Sequence, residues 1–535
     1  MIHLCILIMT RTFMLRLCLP IFILFSTLQR SYALPHSSTP YGWASAVGDD
    51  ESSVRTPLRG ASSLLGVVEN EVNSKSSGEV SQSAFELGLG QGANADIGIP
   101  FTFKDVENPQ PIRGDLGSTD PGPRTYAYDR LNPNTFAPPG SDSGEVTQGK
   151  WPLGLSHNRI LPGHAGWSRQ ENTDDLPGAT AMAGVDMKLA PWAYRELHWH
   201  QANEWSLVLN GSVRVQTMNE DGETFTDDVT AGDVWYFPSG VPHSLQALDE
   251  GAEFMLVFDQ GDFSDGGTSL ITEMFLRNPK EVLSKNFQAP LSDFDEMPQD
   301  QLYIFNGTPA PKNLSEQIVP GPGGVASGNS SYTYHLSKQE AYETPGGSIK
   351  IIDPISFPIA KMFSAALVTI KPGAMREIHW HGTSDEWGFF LAGNARVSVY
   401  QAPTSGATID FSAGDISYVK ATATHYIENT GDEDVVFLEM LQATRFTDIS
   451  VGQWLKLTPK EIIKDTLHVP DSFLDNLSAN KQYVIQGNRN LTALADGIIG
   501  LVVEFVVAID EARVRFTDDA HFFFVFLFLF HCLPH

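Results

Sequence analysis

From about residue 145 onward, short apolar runs alternate with polar positions in a period of two and are broken by Gly, Pro, Asn and Asp. Side chains on a strand point alternately to opposite faces, so each run reads as a strand with one buried face. Residues 205–209, then Asn210-Gly211, then residues 212–216 have the form of a strand, a two-residue turn and a returning strand. Repeated at this density, the pattern predicts an all-β fold of the antiparallel barrel or jelly-roll kind. Helices are expected only where Asn278-Pro279-Lys280-Glu281 and Thr458-Pro459-Lys460-Glu461 each offer a cap, a first-turn Pro and a capping-box Glu.

These two helix starts belong to an internal repeat. Arg195-Glu196-Leu197-His198-Trp199-His200 recurs as Arg376-Glu377-Ile378-His379-Trp380-His381, 181 residues on. Glu204 recurs as Glu386, Gly211 as Gly393, Gly232-Asp233 as Gly414-Asp415 and His243 as His425, each 182 residues on. The body of the chain therefore contains two copies of one barrel-plus-helix module, with the first expected over residues 120–300 and the second over 301–480.

The repeated polar residues carry the chemistry. In His198-Trp199-His200 the two imidazoles lie on one face of a strand, Glu204 heads the next strand, and His243 comes from a later one. The second copy supplies His379, His381, Glu386 and His425. One buried His is ordinarily a satisfied core residue, but two matched sets in a chain with 15 His point to metal binding. Three imidazoles and a carboxylate leave open positions on a six-coordinate ion, which suits manganese or iron better than four-coordinate zinc.

The spacings His-x-His-x(3)-Glu-x(6)-Gly and His-x-His-x(4)-Glu-x(6)-Gly, with Gly232-x(5)-Pro238-x-Gly240-x(2)-His243, resemble the cupin motifs. The doubled Arg-Glu-Leu/Ile-His-Trp-His hexapeptide, with residues 155–159 before it and residues 437–440 after the second copy, resembles the bicupin oxalate decarboxylases of fungi and bacteria over roughly residues 120–478. That resemblance implies two tandem cupin β-barrels, each followed by short helices. It also implies two manganese ions per chain and conversion of oxalate to formate and carbon dioxide, with dioxygen used but not consumed. It assigns Arg195 and Arg376 to the substrate carboxylate. Strict alternation places Glu196, not Arg195, on the face of His198, so that role requires a bulge. The proton donor is expected to be Asp265, in Ser264-Asp265-Gly266-Gly267-Thr268 where bacterial relatives carry a Ser-Glu-Asn-Ser-Thr lid, with Glu439 as the counterpart near the second metal. Trp192 stands where the first motif usually has Gly, and Lys420 and Thr422 replace the Pro and Gly of the second motif in the second copy. The altered lid leaves oxalate oxidase, which releases hydrogen peroxide, as the nearest rival. A non-catalytic storage or cell-wall bicupin is the other rival, and the intact ligand sets count against it.

Charge and the chain ends refine this picture. With 35 Lys+Arg against 64 Asp+Glu, the 535-residue chain carries a formal −29, which excludes a nucleic-acid footprint and means that a small anion must be attracted locally, by an Arg or a metal. Cys5, Cys18 and Cys532 all lie near the ends, so no disulfide framework is expected. Arg11 and Arg16, the apolar residues 17–28 and Ser31-Tyr32-Ala33 read as a signal peptide over residues 1–33. Its apolar run reaches only about 18 Å, short of a bilayer core of about 30 Å, so a secreted or cell-wall-associated protein is expected rather than an anchored one. Residues 34–119 are Ser- and Gly-rich, like a propeptide or flexible arm, and Gly88, Gly90 and Gly92 lack the spacing of a phosphate loop. Sequons at Asn306, Asn313, Asn329, Asn476 and Asn490 fit an exported glycoprotein. The apolar tail, residues 481–535, suggests a lipid-anchor signal at most, and no function is read from it. The expected partner is a small molecule, oxalate, and the architecture is compatible with a homo-oligomer.

Overall fold

The computed structural model describes residues 138–487. The expected signal peptide, the Ser/Gly-rich segment, the tail beyond residue 487 and the sequon at Asn490 lie outside the described residues. Strands dominate, in sheets of twelve, seven and six strands, with short helices after each copy of the repeat. The second module packs its seven-stranded sheet on its six-stranded one. Phe390 of the first stacks on Phe411 of the second with ring centroids 4.8 Å apart, inside a core that also holds Val368, Val397, Ile427 and Phe437. The first module folds its strands around a core of Met187, Val213, Val215, Trp235, Leu245 and Phe254.

A third core joins the modules and explains why some strands are apolar on both faces. In Glu204–Met218 the first five residues are all buried: Glu204, Ser206 and Val208 alternate with Trp205 and Leu207. Trp205, Leu207, Met255 and Val257 pack with Trp387, Phe389, Leu438 and Met440 of the other module. One acid lies in this seam. Glu171 accepts a 3.0 Å hydrogen bond from Trp387 Nε1, and its Oε1 has no partner. Burial pushes its carboxyl up to about 8 against that hydrogen bond.

Strands also cross the boundary expected between residues 300 and 301. Lys150–Pro152 pairs with Asp415–Val419 of the second module, while Ile304–Phe305, Gly324–Val325 and Thr333–Tyr334 pair with strands of the first. Each module thus lends an arm to the other, and the arms supply edge hydrogen bonds that the module's own strands leave open.

Two local expectations are corrected. Asn210-Gly211 is not a hairpin turn. Glu204–Met218 runs continuously beside His243–Phe258, with register shifts at Val208/Asn210 and Gly211/Val213. Gly211 (φ 72°) lies so close to Gly251 that a Cβ would sit 2.0 Å from its carbonyl oxygen. The two long strands bend together here, as a bulged pair does when it carries a sheet around a corner. The capping boxes are also absent. Pro279 and Pro459 are themselves the N-caps of Lys280–Phe287 and Lys460–Leu467, without side-chain cap bonds. Asn278 and Thr458 instead close the preceding helices, donating to the carbonyls of Met274 and Trp454. A residue before Pro is held extended, so Asn278 ends the helix Ile271–Arg277.

Candidate metal centres and active site

Both centres are built on the hexapeptide strands, Tyr194–Trp199 and Ala374–Trp380. The bulge that the arginines require is present in each. Arg195 pairs with Leu245 and His198 with His243, so Glu196 and Leu197 together oppose the single residue Ser244. Arg376, His379, Ile427 and His425 repeat this arrangement. Arg and His consequently face the interior together, and Leu197 and Ile378 are turned out to solvent. The Glu of each hexapeptide fastens the bulge. Glu196 accepts from the Thr272 backbone and hydroxyl and from the Tyr303 N–H. Glu377 accepts from Ser450 Oγ and the Tyr483 N–H. Sequence reasoning passed over these two acids, although their place in the doubled hexapeptide was a signal.

All eight expected metal ligands are brought together in two buried groups: His198, His200, Glu204 and His243, and His379, His381, Glu386 and His425. Within each group the ligand atoms lie within 4.8 Å of one another. Each imidazole spends Nδ1 on a backbone carbonyl. The partners are Glu196, Ala202 and Val241 in the first group, and Glu377, Thr447 and Ala423 in the second. Nδ1 then carries the proton and Nε2 presents its lone pair inward, the tautomer a metal needs. Nε2 of His243 and of His379 is buried without a hydrogen-bond partner, as fits a site completed by a cation. Burial, reinforced by the adjacent arginine, holds His198 and His379 well below the usual imidazole range, so both are neutral. Against burial, the hydrogen bond from His200 and the nearby His243 hold the Glu204 carboxyl below its ordinary value, and His425 and His381 do the same for Glu386. His381 is pushed up to about 10, because hydrogen bonds to Glu386 and Glu439 overcome its burial. A divalent cation replaces such protons when it binds.

Beside the first group is a small cavity. Its wall is apolar, formed by Met187, Leu245, Leu256, Phe258 and Phe263, and its polar side is Arg195, Asp265 and Thr268. Asp265 is buried although it opens a short 3-10 turn, Asp265–Gly267, in the connection between two strands. It accepts from Arg195 Nη2 at 3.3 Å and from Ser168 Oγ at 3.3 Å. Burial raises its carboxyl, and the Arg195 and Arg159 cations oppose that rise. The loop is anchored where Phe263 stacks on Phe258, with centroids 3.6 Å apart, while a Cβ on Gly267 would meet nothing within 4 Å. Thr268 Oγ1 is buried and has no partner. Tyr303 lies between two guanidinium groups, Arg159 at 3.6 Å and Arg195 at 4.1 Å from its ring centre. No local motif around Ser168 or Tyr303 marks them, because they reach the site only through tertiary pairing; Thr268 ends the lid segment noted in the sequence, without a role of its own there.

The second group is surrounded differently. Glu439 lies fully buried in Val435–Leu441, with Oε1 3.2 Å from Arg376 Nη2 and 3.2 Å from His381 Nε2. Asp448, which sequence reasoning did not single out, accepts from Arg376 Nη2 at 2.6 Å. The motif departures fall in turns. Trp192 and Thr422 have φ of 63° and 67°, the left-handed conformation that Gly373 and Gly240 occupy at the matching positions (φ 72° and 75°). The turn hydrogen bonds survive: Thr422 N donates to His381 O at 2.8 Å, as Gly240 N does to His200 O at 2.9 Å.

Comparison with known proteins agrees with this geometry. The Cupin family profile matches residues 155–292 and again 334–471. The chain is 42% identical over 383 residues to oxalate decarboxylase OxdC of Bacillus subtilis (strain 168), covering 72% of this chain and 98% of the relative. It is 38% identical over 399 residues to a probable oxalate decarboxylase of Arthroderma benhamiae, covering 74% and 97%. A solved structure of the Bacillus subtilis enzyme, from work assigning its Mn(II) centres, superposes with a TM-score of 0.68 at 41% identity, over 71% of this chain and all of that one. Two matches to the family, near-complete coverage of these relatives and two full ligand sets establish that the chain belongs to the bicupin oxalate decarboxylases.

Proposed function

We propose that this protein is an exported, manganese-dependent oxalate decarboxylase that converts oxalate to formate and carbon dioxide with no net use of dioxygen, and that its first barrel does most of the work. The observation that carries the reading is the Arg195–Asp265 pair over the first ligand set, inside a cavity with an apolar wall and an unpartnered Thr268 hydroxyl. When bound, manganese would supply an acceptor that polarises oxalate and draws electron density from it.

The chain's own residues account for the remaining steps. Arg195 is nearly fully buried, so its fork is an attractive partner for a dianion or monoanion that has shed its water. Oxalate would displace Asp265 from Arg195 and take one carboxylate hydrogen bond from Thr268. Asp265, released on a glycine-bearing loop and already biased toward its protonated form by burial, would carry a proton to the reacting carbon. The carbon–carbon bond breaks, one carboxylate leaves as carbon dioxide, and the proton joins the other fragment to give formate. The apolar wall keeps water from competing for that proton.

Purified, manganese-loaded protein given oxalate should yield formate and carbon dioxide in equal amounts with little peroxide. Peroxide matching oxalate consumed would indicate an oxidase instead, and no oxalate consumption would refute the reading. Export is supported by the four described sequons, Asn306, Asn313, Asn329 and Asn476, which are all exposed. Protein recovered from culture medium should lose mass on treatment with an endoglycosidase, and retention inside the cell without glycan would refute export.

A further inference from the structure

The internal repeat permits a residue-by-residue comparison of the two arginine environments. Leu270 pairs with His198, and Ser450 pairs with His379. Counting back two residues from each places Thr268 and Asp448 at the same position of the two barrels. Likewise Tyr303 and Tyr483, both with a left-handed backbone, are equivalent, and two residues earlier stand Gln301 and Lys481. The first barrel therefore has an uncharged Thr and an exposed Gln where the second has an acid and a base.

Those two differences act on Arg376. Its Nε and Nη2 edge is taken by Glu439, at 3.4 and 3.2 Å. Its other fork consists of Nη1 and Nη2. Asp448 holds Nη2 at 2.6 Å, and Nη1 is buried without a partner. Asp448 is itself fixed by an ion pair with Lys481 just before the strand Ile449–Ser450, and Glu439 lies within the strand Val435–Leu441. Arg195, by contrast, faces one carboxylate, which Gly266 and Gly267 follow in the chain. An incoming oxalate would be the second anion at Arg195 but the third at Arg376. In a buried site the extra like charge opposes binding unless one of the resident acids leaves.

We propose that Asp448, pinned by Lys481, closes the second barrel to oxalate by occupying the fork of Arg376 that a substrate carboxylate would use, and that removing this one carboxylate opens a latent second substrate site. The proposal rests on the oxalate reading above. Asp448 acts through Arg376, so it is a positioning residue, and its effect is on ligand stoichiometry before any effect on rate.

The test uses full-length, manganese-loaded protein and labelled oxalate in equilibrium dialysis without oxygen, with metal content measured alongside. Wild type should bind roughly one oxalate per chain. Asp448→Thr, which installs the residue the first barrel carries, should bind roughly two, with affinity in the second barrel raised about 10- to 100-fold, the size of a charge-assisted hydrogen bond. Arg195→Gln should bind almost none, and Arg195→Gln combined with Asp448→Thr should recover roughly one. Asp448→Glu keeps the carboxylate and should stay at one. If Asp448→Thr fails to fold, Asp448→Asn makes the same test. Wild type at one and the metal-replete Asp448 variant also at one overturns the clamp while leaving the oxalate reading intact, as does wild type already at two. Wild type binding no oxalate overturns both.

Discussion

Glu171→Gln is expected to stabilise the protein at neutral pH and to change little at acidic pH. Glu171 lies in the core between the modules, where burial moves its carboxyl from 4.5 to about 8. The unfolded chain ionises this group above about pH 4.5, while the folded chain keeps it protonated until about pH 8. Folded protein therefore binds more protons than unfolded protein across that window, and stability falls as pH rises through it. At 1.36 kcal/mol per unit, the interval from 4.5 to pH 7 costs about 3 kcal/mol. Gln reproduces the protonated acid: its amide oxygen can still accept from Trp387 Nε1, and its NH2 stands where Oε1 now has no partner. Differential scanning calorimetry should show nearly equal midpoints for the two proteins near pH 4. Near pH 7 the variant should lead by roughly 3–6 °C, given the heat of unfolding expected for a chain of this size. A midpoint difference that does not vary with pH, or a variant less stable at pH 7, would refute the assignment of a protonated acid to the seam.

Asp265→Ala should cut formate formation by about 100-fold or more, the usual worth of a positioned acid, and raise the peroxide share, whereas Glu439→Gln should leave the product ratio unchanged; both follow from product analysis at fixed metal content. Because burial raises the Asp265 carboxyl, its proton is held above the usual carboxylate range and lost as pH rises further, so turnover should fall toward alkaline pH; a rate climbing steadily from about pH 4 to 8 would contradict this. His198→Ala and His379→Ala should each remove roughly one ion per chain by elemental analysis, since each breaks one ligand set. Thr422→Gly should stabilise by about 1 kcal/mol in denaturant titration, because Thr422 is an exposed β-branched residue at φ 67° and its backbone hydrogen bond to His381 does not need the side chain.

The metal ligands were legible because repetition removes the ambiguity of any single His. The bulge was legible for a different reason: alternation and the role of Arg195 conflicted, and only an extra residue in the strand reconciles them. What stayed hidden depends on partners far along the chain. Asn210-Gly211 has the composition of a hairpin turn, and only the presence of Gly251 on a neighbouring strand makes it a bend. The exchanged arms are two or three residues long, too short for a periodic signal. Glu171 ends the strand Gly166–Glu171, and nothing in that hexapeptide announces that a second barrel will cover it.

The contrast between Arg195 and Arg376 shows why matched ligand sets do not make matched sites. A cation sees nearly the same inner surroundings in both barrels, three imidazoles with Nδ1 committed to carbonyls and one buried carboxylate. A substrate anion responds to the next layer out, where charges are paired rather than ligated. There Arg195 pairs with one acid, Asp265, whereas Arg376 pairs with two, Glu439 on a strand and Asp448 in an ion pair with Lys481. In a chain of formal charge −29 a small anion must be attracted locally, and on the proposal above a carboxylate at the position of Thr268 opposes that attraction in the second barrel. On that proposal the two barrels share their metal-binding residues through local motifs, while Thr268 and Asp448, the pair that would decide substrate entry, lie outside the repeated hexapeptide.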